Sequence, residues 1–206
     1  MESDNLLLLV AVITMVVAIV GMTVTYNSLN VFSGVLTGHA TDTGTVKVNV
    51  SSQLSVVIVS ANGSVGSKTL DWKSGTVVGG TTALLVTNGT VTNSNFPNIT
   101  SGFVVENKGN IIANVSISST DPASTFIGGT GAKFQYKISN NEANSCTIPS
   151  GALSWTDFTT TPTLICSNFT ALDTVDSMKI DVLMEIPSSS KSGVLTNTIT
   201  LTYIAA

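Results

Sequence analysis

Leu6 to Val24 reads LLLLVAVITMVVAIVGMTV, with no charge and no proline. The run predicts one long hydrophobic α-helix of roughly 28 Å at 1.5 Å per residue, close to the ~30 Å hydrocarbon thickness of a bilayer. It exceeds the apolar core of about 7–15 residues expected of a cleaved signal peptide. A helix apolar on every face needs apolar surroundings, either lipid or other helices. Leu6, Leu9, Ile13, Val16 and Val20 follow helical spacing and are the candidate packing residues. Residues 1–30 form this segment. Residues 31–44, with Gly34, Gly38 and a Gly/Thr-rich stretch around His39, read as a linker.

From residue 45 to 206 the period changes to two. Valines alternate with polar residues over Val46–Ser51. Ile111, Ala113, Val115 and Ile117 alternate with Ile112, Asn114, Ser116 and Ser118. The same holds for Phe134, Tyr136 and Ile138, for Ile180, Val182, Met184 and Ile186, and for Ile199, Leu201 and Tyr203 between threonines. Such alternation predicts strands with one buried face. Leu54–Val59, Ala83–Val86 and Phe103–Val105 are short apolar runs expected in deeper strands. Turn pairs such as Asn62-Gly63, Gly79-Gly80 and Asn88-Gly89 separate them, and no amphipathic crossover helix intervenes. The expected class is mainly β: an antiparallel, Ig-like β-sandwich after one long N-terminal helix. Trp72 and Trp155 are expected to plug its core or ends.

Composition sharpens the picture. Only 10% of the 206 residues are charged, and all 8 basic residues are lysines. Without arginine or a basic cluster, nucleic-acid binding is disfavoured. Cys146 and Cys166 are the only cysteines, and a single disulfide in an oxidising compartment is the expectation. Asn-x-Ser/Thr acceptors stand at Asn49, Asn62, Asn88, Asn98, Asn114 and Asn168, several on polar strand faces or in turns where a glycan would not disturb a core. Together with the cysteines they favour an exterior location at the cell surface, with the helix inserted in the membrane.

His39, the single histidine, lies in the linker, and no zincin, nucleophile-elbow, P-loop or dinucleotide motif is present. Asp173 and Asp176 could lend oxygens to calcium but lack the spacing of a calcium loop, so they read as solvated turn residues. The expectation is a non-enzyme with no metal and no cofactor.

A hydrophobic helix over Leu6–Val24, a Gly/Thr stalk and a Thr/Asn/Ser-rich sandwich with many sequons resemble archaeal type IV-like pilins and archaeal flagellins. The resemblance implies helices bundled into a filament core, glycosylated β domains outside, and self-association as the main partnership. Family precursors carry a basic leader with a glycine before the cut, and Met1–Asn5 does not match it, a departure that means either a removed leader or a different family. Ser101–Asn110 and the Ile186-Pro187…Ile199-Thr200 region also resemble secreted archaeal thread subunits, in which an N-terminal strand completes the next subunit. The expected function is a structural subunit of an extracellular filament. The alternative is a single-pass surface protein, an adhesin or envelope component touching host surface glycans.

Overall fold

The computed structural model describes residues 11–23 and 48–206, and the chain divides into two units, Met1–Asn49 and Val50–Ala206. In the first unit, residues 11–23 form helix α1. Its two hydroxyls bond back into the helix, Thr14 Oγ1 to the Ala11 carbonyl at 2.9 Å and Thr23 Oγ1 to that of Val20 at 2.9 Å, so neither polar group interrupts the apolar surface. Residues 6–10 and 24 of the predicted helix, and the linker 31–44, lie outside the described residues. Among the described residues, no helix is long and apolar enough to cross a membrane.

The second unit is mainly β, with antiparallel sheets. In chain order the strands are β1 (Val56–Ala61), β2 (Ser64–Val65), β3 (Thr82–Val86), β4 (Val91–Thr92), β5 (Phe103–Asn107), β6 (Ala113–Ser119), β7 (Lys133–Asn140), β8 (Thr156–Asp157), β9 (Thr163–Phe169), β10 (Ser177–Pro187) and β11 (Ile199–Ala205). One helical turn, α2 (Ala123–Phe126), and a 3-10 turn at Ser150–Leu153 interrupt them. Asn62 (φ 48°) and Gly63 (φ 72°) make the two-residue turn between β1 and β2, the left-handed pair that a tight hairpin requires.

The larger sheet has β10 as its spine. Along one edge β10 pairs with β7 from Met178 to Glu185. Its other edge forks: Ser177–Ile180 pair with β5, and Leu183–Pro187 pair with β3. The strands β1 and β2 extend the first arm, β4 extends the second, and β8 flanks β7. Gly102 sits at the fork, where a Cβ would collide with the Ile180 carbonyl, so backbone meets backbone only because the side chain is absent. The smaller sheet is β11-β6-β9.

One hydrophobic core takes Phe103 and Val105 of β5, Phe134, Tyr136 and Ile138 of β7 and Ile180 and Val182 of β10 from the larger sheet. The smaller sheet adds Val115 and Ile117 of β6 and Ile165 and Phe169 of β9. Each large apolar side chain buried in this way contributes about 1.5–3 kcal/mol. Phe158 stacks on Phe134 with ring centroids 4.2 Å apart and closes one end of the core.

Three expectations are corrected. Val46–Ser51 was expected as a strand. Residues 46 and 47 lie outside the described residues; 48–51 form none, and Val48 and Val50 are exposed, since no ladder or core face among the described residues receives them. Trp72 is buried as expected, but Trp155 is not a core plug: it lies half-buried beneath Lys137 Nζ, 5.1 Å from the ring centroid, in a cation–π contact outside the core. Asp176 is not a solvated turn residue; it is only 5% exposed, because the chain turns inward there to start β10.

Candidate functional site

Helix α1 is the first candidate element. Ile13, Val16 and Val20 recur at helical spacing on it and are all more than half exposed, as is every other large apolar residue along it. Leu6 and Leu9 lie outside the described residues, as does His39. A helix of this composition cannot stay bare in water, because nothing offsets the hydration of its apolar surface.

Cys146 and Cys166 are bonded to each other, 20 residues apart in sequence. The bond ties the segment after β7 to the middle of β9, beside a bridge between Thr147 and Ser167. The segment that follows β7 is thereby fastened to the smaller sheet.

The acceptor asparagines fall into groups that sequence spacing does not show. Asn62, Asn88 and Asn98 belong to three converging turns. The Asn62 Oδ1 accepts from the Thr100 amide at 3.1 Å, and the Gly89 amide donates to the Ile99 carbonyl at 2.8 Å. Within this group, Asn88 is exposed and its Oδ1 accepts from the Thr90 amide of its own Asn-Gly-Thr triplet at 3.0 Å, which leaves the Nδ2 facing outward without competition from the backbone. Asn114 and Asn168 form a second group on the smaller sheet, where the Asn168 amide donates to Asn114 Oδ1 at 3.2 Å. Asn114 is half-buried and Asn168 exposed. Asn49 is exposed and stands apart from any strand.

Charge is partitioned between the two sheets. Lys133 and Lys137 of β7 alternate with core residues, as do Lys179, Asp181 and Glu185 of β10, so all face outward. Lys133 pairs with Glu185 at 2.9 Å and Lys179 with Asp181 at 3.0 Å, while Lys108 pairs with Glu106 of β5. The Lys133 and Lys108 pairs, whose lysines are exposed, add little stability, whereas Lys179–Asp181 is the more buried pair. The strands of the smaller sheet, ANVSISS, TLICSNF and ITLTYIA, carry no charge at all. Their outward positions are hydroxyls, amides and scattered aliphatics.

One acidic group lies where β5, the β7–β8 segment and the start of β10 meet. The Asp176 amide donates to Glu142 Oε2 at 2.9 Å. Burial, then the negative charges of Glu106 and Glu142, raises the Asp176 carboxyl above its ordinary value; Lys108 opposes this and Asp173 adds to it. Among the described residues, no three His, Cys, Asp or Glu side chains converge to hold a metal ion.

Two polar residues that organise the fold were not singled out by the sequence pattern. Thr87, fully buried, fills the fork of β10: its amide donates to the Val182 carbonyl at 3.0 Å and its Oγ1 accepts from the Val182 amide at 3.0 Å. The same hydroxyl donates to Asp181 Oδ1 at 2.9 Å. Asn107 is equally buried and reaches the smaller sheet. The one local signal was that each directly precedes a turn, Asn88-Gly89 or Lys108-Gly109. Compared with known proteins, the chain matches no family model, no curated protein and no solved structure.

Proposed function

We propose that this chain is a structural subunit of an extracellular filament. In this reading the apolar N-terminal helix, extended over Leu6–Val24, packs against helices of other copies, and an Ig-like sandwich forms the outer surface. The observation that carries the reading is α1: apolar on every face and exposed along its length within its own chain. Such a helix demands a partner surface, and copies of itself are one that the sequence provides. The membrane holds the helix before assembly.

An exterior location is supported by the Cys146–Cys166 bond, since disulfides persist in oxidising compartments. It is supported further by a β unit solubilised mainly by hydroxyls and amides, with acceptor asparagines at exposed turns. Negative-stain microscopy of the full chain from its native source tests the proposal. Regular filaments of helical symmetry are expected, as open heterologous contacts build them. Detergent-solubilised particles that never polymerise would overturn it and leave a single-pass surface protein instead.

A further inference from the structure

We propose that β11 pairs edge to edge with β11 of a second copy, about a two-fold axis at Thr202. On either side of β11, the Ala206 amide bonds the Ile112 carbonyl at 3.0 Å, and the Thr198 carbonyl accepts from the Thr120 amide at 2.9 Å. In an antiparallel ladder, alternate residues bond to the same neighbour. The even-numbered residues of β11 therefore spend their backbone groups on β6. Those of Ile199, Leu201, Tyr203 and Ala205 point to the free edge, where no strand pairs among the described residues.

This edge lacks the features that normally discourage pairing: a charge, a proline, a bulge or a very short strand. Its seven residues, ITLTYIA, run in unbroken register against β6 and contain no charge. Polar clamps hold β11 in its own sheet, with Asn197 Nδ2 donating to the Asp121 carbonyl at 2.8 Å and its Oδ1 accepting from the Asp121 amide at 3.2 Å. The strand is therefore presented rather than detached.

A second copy suits the edge better than a charged or irregular partner because the strand is complementary to itself. With Thr202 facing Thr202 of the other copy, Leu201 lies opposite Tyr203 and Ile199 opposite Ala205. The free backbone groups then pair along the whole strand, and every cross-strand pair is neutral. The pairing also explains an imbalance on the inner face. Tyr203 is 36% exposed, whereas Val115, its neighbour across the ladder on β6, is 0% exposed. A second β11 places its Leu201 against that uncovered ring. The contact is isologous, independent of α1, and makes one six-stranded sheet from two three-stranded ones.

Thr202 would face its counterpart at a non-hydrogen-bonded position, where Cα atoms approach to about 4.5 Å, within disulfide range. The test is Thr202→Cys in the full chain in detergent, read as disulfide dimer on a non-reducing gel. Val194→Cys serves as the control, on a residue 97% exposed but outside the strand. T202C is expected to cross-link at least tenfold faster than V194C. Adding Thr200→Lys and Ile204→Lys, which face each other across the axis and point away from the core, is expected to abolish the dimer. Equal cross-linking of the two single variants, a T202C chain that stays monomeric, or a dimer that survives the lysines would each overturn the proposal. So would preferential cross-linking of T202C to a cysteine at Val48. Because the readout is a cross-link and not a filament, it separates this contact from assembly through α1.

Discussion

The Nδ2 of Asn107, at the end of β5, donates to the carbonyl of Phe169, at the end of β9, at 3.1 Å, and so ties the larger sheet to the smaller one. The same amide nitrogen donates to the Ile111 carbonyl at 2.9 Å, and Oδ1 accepts from Gly109 at 3.1 Å. One buried side chain thus satisfies three backbone groups. Asn107→Ala would remove the donor from the Phe169 and Ile111 carbonyls, while the Gly109 amide keeps its bond to the Ser55 carbonyl at 3.1 Å, and a buried group left unpaired costs about 1–3 kcal/mol. A lower denaturation midpoint with an unchanged slope is expected in urea titration; an unaltered midpoint would show that water replaces the side chain at no cost.

Thr87→Val and Thr87→Ser separate shape from hydrogen bonding at the fork of β10. Valine fills the space but gives the Val182 amide no acceptor, whereas serine keeps Oγ1. The valine variant is expected to lose about 1–3 kcal/mol and the serine variant less. A serine variant that loses more than the valine variant in thermal melts would mean that the methyl group, not the hydroxyl, holds the fork.

The Cys146–Cys166 bond closes a loop of 20 residues. In the chain-entropy model that is worth roughly 3 kcal/mol. The double variant C146S/C166S should unfold at correspondingly lower denaturant. Thiol titration of unfolded, unreduced protein should find no reactive cysteine.

Asp176 gives the pH dependence a definite sign. Its folded carboxyl titrates above 3.8 because of burial and the charges of Glu106 and Glu142. The folded chain therefore keeps this proton to higher pH than the unfolded chain. The contribution to stability is fullest below the ordinary carboxylate range and is lost as pH rises through the folded value. Asp176→Asn should therefore be more stable than the parent at neutral pH, with the advantage vanishing in acid. A variant less stable at neutral pH would show that the carboxylate makes a compensating interaction there.

Glycan, in native material, is expected on Asn88 ahead of Asn114. Asn88 is exposed with its Oδ1 already engaged by Thr90, whereas Asn114 is half-buried and accepts from Asn168. Glycopeptide mass spectrometry decides, and an unmodified Asn88 beside a modified Asn114 would reverse the order.

The sequence by itself determined the local periods. Alternation at Phe134–Ile138, Ile180–Ile186 and Ile199–Tyr203 gave strands with the correct inward faces, because one-face burial repeats every two residues whatever the partner strand. Within the uncharged run at Leu6–Val24, residues 11–23 are helical as the run predicts, since the absence of charge and proline is a local property. Alternation alone failed at residues 48–51, where a strand-like pattern has no ladder to join among the described residues. Only the tertiary structure decided that β10 forks between β5 and β3, that Asn107 pins the two sheets, and that Asp176 is drawn inside. It also decided that Asn62, Asn88 and Asn98 share one end of the larger sheet, and that β11 is left at an open edge. These depend on which strands meet across scores of residues. Hydrogen-bond partners at that range are set by the closure of the whole core, not by any window of the chain.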